Sequence, residues 1–254
     1  MGTRAAFTQK DHGVSCLAVS NVSRAFGGLR AVDRVSFDIG RGELVGLIGP
    51  NGSGKTTLLN ILSGHQPAEA GEVRLGDEAI QGLRPERIAA RGLQRMFQLT
   101  RVFRRMSALD NLMTAGRALG LAHPGALARA GILLEELALS RVSDLDAGQL
   151  SGGQQKLLEF GCCFMSPPRI ALLDEPFAAV HPAMKETMAR FIRAHHADGQ
   201  TFLVVSHDMP VIVELCPRTI CMNAGAVIAD GPTRTVLNER SVIEAYLGGN
   251  EEAP

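Results

Sequence analysis

Three short apolar runs without alternation punctuate the chain: Leu44-Val45-Gly46-Leu47-Ile48, Ile170-Ala171-Leu172-Leu173 and Phe202-Leu203-Val204-Val205. Consecutive apolar positions over so few residues are the pattern of central parallel strands covered on both faces. Residues 17–45 read as short strands and turns. Val35-Ser36-Phe37-Asp38-Ile39 alternates, and Gly27-Gly28 and Gly40-Arg41-Gly42 interrupt. Residues 56–62 read as a helix start, 71–78 as a strand and turn, and Pro85–Ala90 as a brief helix with proline in its first turn. Alanine- and leucine-rich residues 107–147 predict helices over 108–119 and 126–139, separated at Pro124-Gly125. Further helices are expected over 156–163 and 182–197. Two edge strands are expected within 219–230, turning at Asn223-Ala224-Gly225, with two short helices within 233–247. The pattern is an α/β core holding a helical insert. Residues 1–14 are polar and read as a flexible extension.

Composition sharpens this picture. The 254 residues suffice for one large domain, or for a core with a smaller insert. Basic and acidic residues balance at 26 each, which argues against nucleic-acid binding driven by backbone electrostatics. Lysine is confined to Lys10, Lys55, Lys156 and Lys185. Cys16, Cys162, Cys163, Cys216 and Cys221 form no C-x-x-C pair and read as small buried hydrophobes in a reducing compartment. No stretch reaches the roughly 18 apolar residues of a membrane span, and no leader pattern opens the chain, so neither spanning nor export is expected. A hydrophobic content of 45% leaves room for a partner-covered surface.

Against this background Gly49-Pro50-Asn51-Gly52-Ser53-Gly54-Lys55-Thr56 fits G-x-x-x-x-G-K-[ST]. A strand precedes it and a helix follows, so backbone N–H groups and the helix N-terminus can cradle phosphates. Lys55 can reach β/γ-phosphates, and the Thr56 hydroxyl can complete a Mg²⁺ shell. Asp174 and Glu175 end an apolar strand at the sheet edge where α/β proteins place ligands. Alone such a pair is commonly just a solvated turn. With the phosphate loop upstream, Asp174 becomes a metal-associated carboxylate and Glu175 a group that orients or polarises water. His207 closes the third apolar run and is either a γ-phosphate sensor or a structural histidine. Leu150-Ser151-Gly152-Gly153-Gln154-Gln155 precedes a helix and is either a second anion cradle or a linker cap.

Taken in order, these motifs resemble the ATP-binding cassette (ABC) ATPases across residues 15–248. The resemblance implies an α/β P-loop NTPase core of the ABC ATPase type, an N-terminal antiparallel β portion and a helical subdomain inserted at about 100–165. Residues 249–254 are then a tail. It implies ATP contacts from Phe26 (the aromatic that stacks on adenine), Gly49, Asn51, Gly52, Ser53, Gly54, Lys55, Thr56 and Thr57. It implies further contacts from Ser151, Gly152, Gly153 and Gln154 of a partner subunit, because such ATPases pair head to tail. Thr56, Gln98 and Asp174 would attend Mg²⁺, and Glu175, His207, Lys55 and Gln98 would serve catalysis.

Within the family, Phe26-Gly27-Gly28-Leu29-Arg30-Ala31-Val32, the stretch from Gly92 to Ser107 and Val242-Ile243-Glu244-Ala245-Tyr246-Leu247-Gly248 are similar to ATPases of branched-chain amino acid importers. That similarity implies a homo- or heterodimer at the cytoplasmic face of the inner membrane. Permease subunits would dock there, at a groove to which Phe103 and Met106 could contribute, and an extracytoplasmic solute-binding protein would act indirectly. No nucleic-acid partner is expected. ATPases of urea or amide importers, of lipopolysaccharide-type exporters, and non-transport ABC regulatory proteins are the alternatives. The chain departs from the family at Val180-His181 and at Phe160-Gly161-Cys162, which implies altered coupling or packing, with ATP chemistry intact.

Overall fold

The computed structural model describes residues 15–248; the extension read at 1–14 and the tail read at 249–254 lie outside them. Strands β1 (Ser15–Phe26) and β2 (Leu29–Gly40) form an antiparallel hairpin, each 12 residues long. The sequence pattern led to shorter strands there. Register shifts between Val19 and Val22, and again between Val22 and Arg24, put an extra residue into the ladder and break the alternation. β4 (Ala70–Leu75) and the two-residue β5 (Glu78–Ala79) complete a four-stranded sheet of order β2-β1-β4-β5.

The second sheet has six strands, ordered β10-β9-β3-β8-β7-β6. They are β3 (Leu44–Ile48), β6 (Leu93–Met96), β7 (Ile170–Asp174), β8 (Thr201–Val205), β9 (Arg218–Asn223) and β10 (Ala226–Pro232). Every pairing is parallel except that of β9 with β10. β3, β7 and β8 are buried at each position. Their alternate residues enter two different cores. Val45, Leu47, Leu172 and Leu203 pack with α1 (Lys55–Leu62) and the antiparallel sheet, while Leu44, Ile48, Leu173 and Val204 pack with the helices opposite. Two covered faces explain why these runs carry no polar alternation.

Only β10 is an edge strand of the pair expected at 219–230. β9 lies inside the sheet, between β3 and β10, with Thr219, Ile220, Cys221 and Met222 buried. α2 (Pro85–Ala90) leads into β6, an edge strand that the sequence pattern did not suggest. Between β6 and β7 come α3 (Ala108–Ala118), α4 (His123–Glu136) and α5 (Gly152–Cys162). In α5, Phe160 sets its ring centroid 5.0 Å from those of Phe164 and Phe191. A Cβ at Gly161 would lie 2.9 Å from Leu137 Cδ1, so glycine admits the close approach of the neighbouring helices. Cys162 packs at the same apolar core, and burial pushes its thiol up to about 12, so it stays neutral there. The Phe-Gly-Cys departure is thus a packing change. α6 (Pro182–Ala197) spans the residues expected of it. α7 (Met209–Leu215), unforeseen, follows β8, and α8 (Thr233–Val236) and α9 (Arg240–Gly248) follow β10.

Candidate functional site

β3 ends at Ile48 and α1 begins at Lys55, and the intervening loop is folded by glycine. Gly49 has φ 148° and Gly54 φ 99°; a Cβ there would lie 2.1 Å from Met222 O and 2.2 Å from Ala31 O. β9 and β2 therefore press backbone against the loop at both ends. No side chain caps α1, so its first N–H groups are left for a ligand. Lys55 Nζ folds back and donates to Gly49 O at 2.8 Å, Pro50 O at 2.9 Å and Ser53 Oγ at 3.3 Å. Burial lowers its pKa, opposed by the nearby charges of Glu175, Cys221 and Asp174.

β7 carries Asp174 to the same sheet edge. Its Oδ2 accepts from Arg95 Nη2 at 2.9 Å, both side chains being 4% exposed. The other arm of Arg95 donates to Asn60 Oδ1 and Ser63 Oγ, tying α1 to β6 and β7. Burial lowers the Arg95 pKa, and the Asp174 carboxylate opposes that shift. Glu175 follows at φ 50°, its N–H bonded to Val205 O at 2.9 Å. Its Oε1 lies 3.0 Å from His207 Nδ1, and its Oε2 accepts from Ser206 Oγ at 3.4 Å. His207 sits two residues past the end of β8 and its side chain is 72% exposed, against 11% for Glu175.

These groups share one cavity of about 690 Å³. Of the residues read from the sequence, Phe26, Asn51, Gly52, Ser53, Gly54, Lys55, Thr56, Thr57, Gln98, Asp174, Glu175 and His207 line it. Gly49 is buried and is not among the lining residues. Phe26 stands at the end of β1, 43% exposed, with the Arg24 guanidinium carbon 5.1 Å from its ring centroid. Ser151, Gly152, Gly153 and Gln154 are not among the lining residues. They form the N-terminus of α5, where Ser151 Oγ accepts from Gln154 N and Gln154 Oε1 accepts from Ser151 N. The reciprocal cap answers the linker-cap reading. Gly153 is also required locally, because a Cβ would meet Met184 Sδ at 2.3 Å. Gly152 is exposed with nothing near its missing Cβ, so packing within this chain does not account for it.

Several supporting residues escaped the sequence reading. Lys156, 6% exposed, runs from α5 to donate to Glu175 O at 2.8 Å and Ala178 O at 2.9 Å. Lys185 on α6 holds Asp208, beside His207, at 2.8 Å. That hydrogen bond draws the Asp208 carboxyl below its usual range. The three lysines among the described residues thus all hold the loop or the segments that carry Glu175 and His207. Their rarity was the available signal. At the family departure, His181 caps α6 by accepting from Ala183 N through Nδ1 at 3.3 Å, the work an aspartate or asparagine does at that position.

Fold and site together define a P-loop ATPase. The ABC transporter family profile matches residues 32–178, and the chain belongs to that family. The high-affinity branched-chain amino acid transport ATP-binding protein BraF of Pseudomonas aeruginosa is 36% identical over 250 residues, covering 91% of this chain and 97% of that protein. Its counterpart LivG of Escherichia coli K12 gives the same identity and coverage. Among solved structures, a nucleotide-free ATP-binding cassette from an ABC transporter superposes with TM-score 0.82 at 30% identity, covering 91% of this chain and 98% of the other. The ADP conformation of an ABC transporter cassette also gives 0.82, at 31% identity over 92% and 99% of the two chains.

Proposed function

We propose that this chain is the ATP-hydrolysing subunit of a membrane importer for a small polar solute, branched-chain or related amino acids. The single observation carrying this reading is the convergence of Lys55, Thr56, Gln98, Asp174, Glu175 and His207 on one cavity. The similarity to BraF and LivG, branched-chain amino acid transport ATP-binding proteins, supports the solute class.

In this reading the loop N–H groups and Lys55 hold the phosphates, and Phe26 offers a ring face to the base. Glu175 accepts a proton from the attacking water as its oxygen bonds to the γ-phosphorus and the bond to the β-phosphate oxygen breaks. His207, whose Nδ1 lies 3.0 Å from Glu175 Oε1, orients that carboxylate and donates towards the γ-phosphate. Lys156 fixes the Glu175 peptide from behind. Thr56, Gln98 and the Asp174 oxygen left over from Arg95 make a set of hard oxygen donors that suits Mg²⁺. Among the described residues no group of three or more His, Cys, Asp and Glu side chains is placed to hold a metal ion by itself, and the phosphates would share in the shell. Bound there, Mg²⁺ would neutralise charge on the phosphate oxygens.

The α5 N-terminus, with Ser151, Gly152, Gly153 and Gln154, would contact ATP held by a second ATPase subunit. No helix among the described residues is long and apolar enough to cross a membrane. In this reading the chain attaches peripherally to permease subunits at the cytoplasmic face, and Leu99 and Phe103, 80% and 59% exposed, are apolar groups available for that contact. The test is copurification with its permease subunits and ATPase assay after reconstitution. ATPase should rise with a branched-chain amino acid and its binding protein, and Glu175→Gln should lower turnover about 10²-fold or more. Stimulation by another solute class would overturn the solute assignment, and unchanged turnover in the variant would overturn the role of Glu175.

A further inference from the structure

Tyr246 is the single tyrosine of the sequence and lies on α9, at the far end of the chain from the phosphate loop. Its hydroxyl nonetheless accepts the backbone N–H of Gly49 at 2.8 Å, across 197 residues of sequence. Gly49 is buried, so that N–H has little access to water. The ring is half-buried against the core, which fixes where the hydroxyl sits. Gly49 is thereby held from two sides. Its N–H donates to Tyr246, and its carbonyl accepts from Lys55 Nζ at 2.8 Å. The downstream half of the loop has a separate anchor, since Ser53 O accepts from Gly225 N at 3.1 Å in the turn between β9 and β10.

From this we infer that Tyr246 is a positioning residue for the phosphate loop, holding Gly49 when Lys55 turns to the nucleotide. The inference rests on the reading of the cavity as an ATP site. In the free chain Lys55 clamps the Gly49 and Pro50 carbonyls, so the upstream end of the loop is fixed twice over. A bound β/γ-phosphate competes for the same ammonium. The tyrosine hydroxyl then remains as the side-chain tie on Gly49, and the loop geometry of the loaded state depends on it more than that of the free state. A bond that matters more in the loaded state contributes to affinity. It also makes α9 sensitive to whether nucleotide is present. The phenol is suited to this, because burial pushes its pKa up to about 12 and keeps it neutral.

The experiment compares the full-length wild type with Tyr246→Phe, which removes the hydroxyl and keeps the ring. Mg·ATP affinity is measured by calorimetry, thermal stability with and without nucleotide, and kcat and KM in the reconstituted complex. Tyr246→Phe should raise the ATP dissociation constant about 3- to 10-fold, a loss of about 0.7–1.4 kcal/mol. KM should rise in parallel while kcat at saturating ATP holds, and the nucleotide-induced rise in Tm should shrink more than the Tm of the free protein falls. A variant that binds ATP as the wild type does, or whose free and loaded forms lose equal stability, overturns the inference. If the wild type itself fails to bind ATP, the reading of the cavity falls with it, so the two failures are separable.

Discussion

Glu175 occupies the left-handed region at φ 50°, a conformation that costs a non-glycine residue about 1–3 kcal/mol. Three contacts hold it there: its N–H on Val205 O, its carbonyl under Lys156 Nζ, and its carboxylate between His207 and Ser206. The strain aims a carboxylate into the cavity from a peptide that is otherwise part of a strand end. A second buried carboxylate behaves differently. Glu159 on α5 is 5% exposed, and its Oε2 has no hydrogen-bond partner among the described residues. Burial pushes its pKa up to about 7, against the backbone N–H groups of Arg101 and Phe97 and the charge of Lys156. The folded state therefore binds this proton more tightly than the unfolded chain does. Stability from this group is present below the ordinary carboxylate range, declines as pH rises towards about 7, and is then level. Glu159→Gln should remove that decline and raise stability above neutral pH by about 3 kcal/mol. Thermal melts across pH 5 to 8 check this, and a parallel offset of the two curves would count against it.

At the scale of elements, the antiparallel sheet depends on one tight crossing. Asn21 adopts φ 51° where the register of β1 against β4 shifts, and Gly71 of β4 passes so close that a Cβ would lie 2.5 Å from Asn21 O and Ser20 O. Gly71→Ala should therefore destabilise the protein by about 2 kcal/mol or more. Denaturant unfolding measures it, and an unchanged midpoint would show the crossing to be plastic. The same bulged geometry explains why the hairpin was misread as short strands, since a pattern search relies on strict alternation. By contrast α6 was legible, with Pro182 at its first turn and an apolar stripe through Met188, Phe191 and Ile192. The phosphate loop, Asp174 and Glu175 were legible because each is a contiguous string in the expected strand context. Arg95, Lys156 and Tyr246 were not. Their partners lie 79, 19 and 197 residues away, so only the folded chain brings them together. β6 was missed for the same reason, because its arginine is satisfied by Asp174 and reads as surface until that pairing is seen.

At the scale of the molecule, the cavity lined by the phosphate loop and the exposed cap of α5 are separate surfaces, the cap lying outside that lining. On the head-to-tail reading each subunit carries half of two composite sites, so ligand contact and pairing are linked. With hydrolysis blocked by Glu175→Gln, Mg·ATP should convert monomers into dimers in size-exclusion chromatography with light scattering, and a bulky residue at Gly152 should prevent it. Monomers persisting at saturating ATP, with the permease subunits supplied, would contradict the pairing. A different consequence follows from the order of strands in the parallel sheet. β3, which launches the phosphate loop, has β8 on one side and β9 on the other, both drawn from beyond residue 200. During synthesis on the ribosome the loop therefore emerges early and waits for most of the polypeptide before its neighbours exist. A nascent chain lacking β8 and β9 should be blind to nucleotide, so the capacity to consume ATP arrives late in translation.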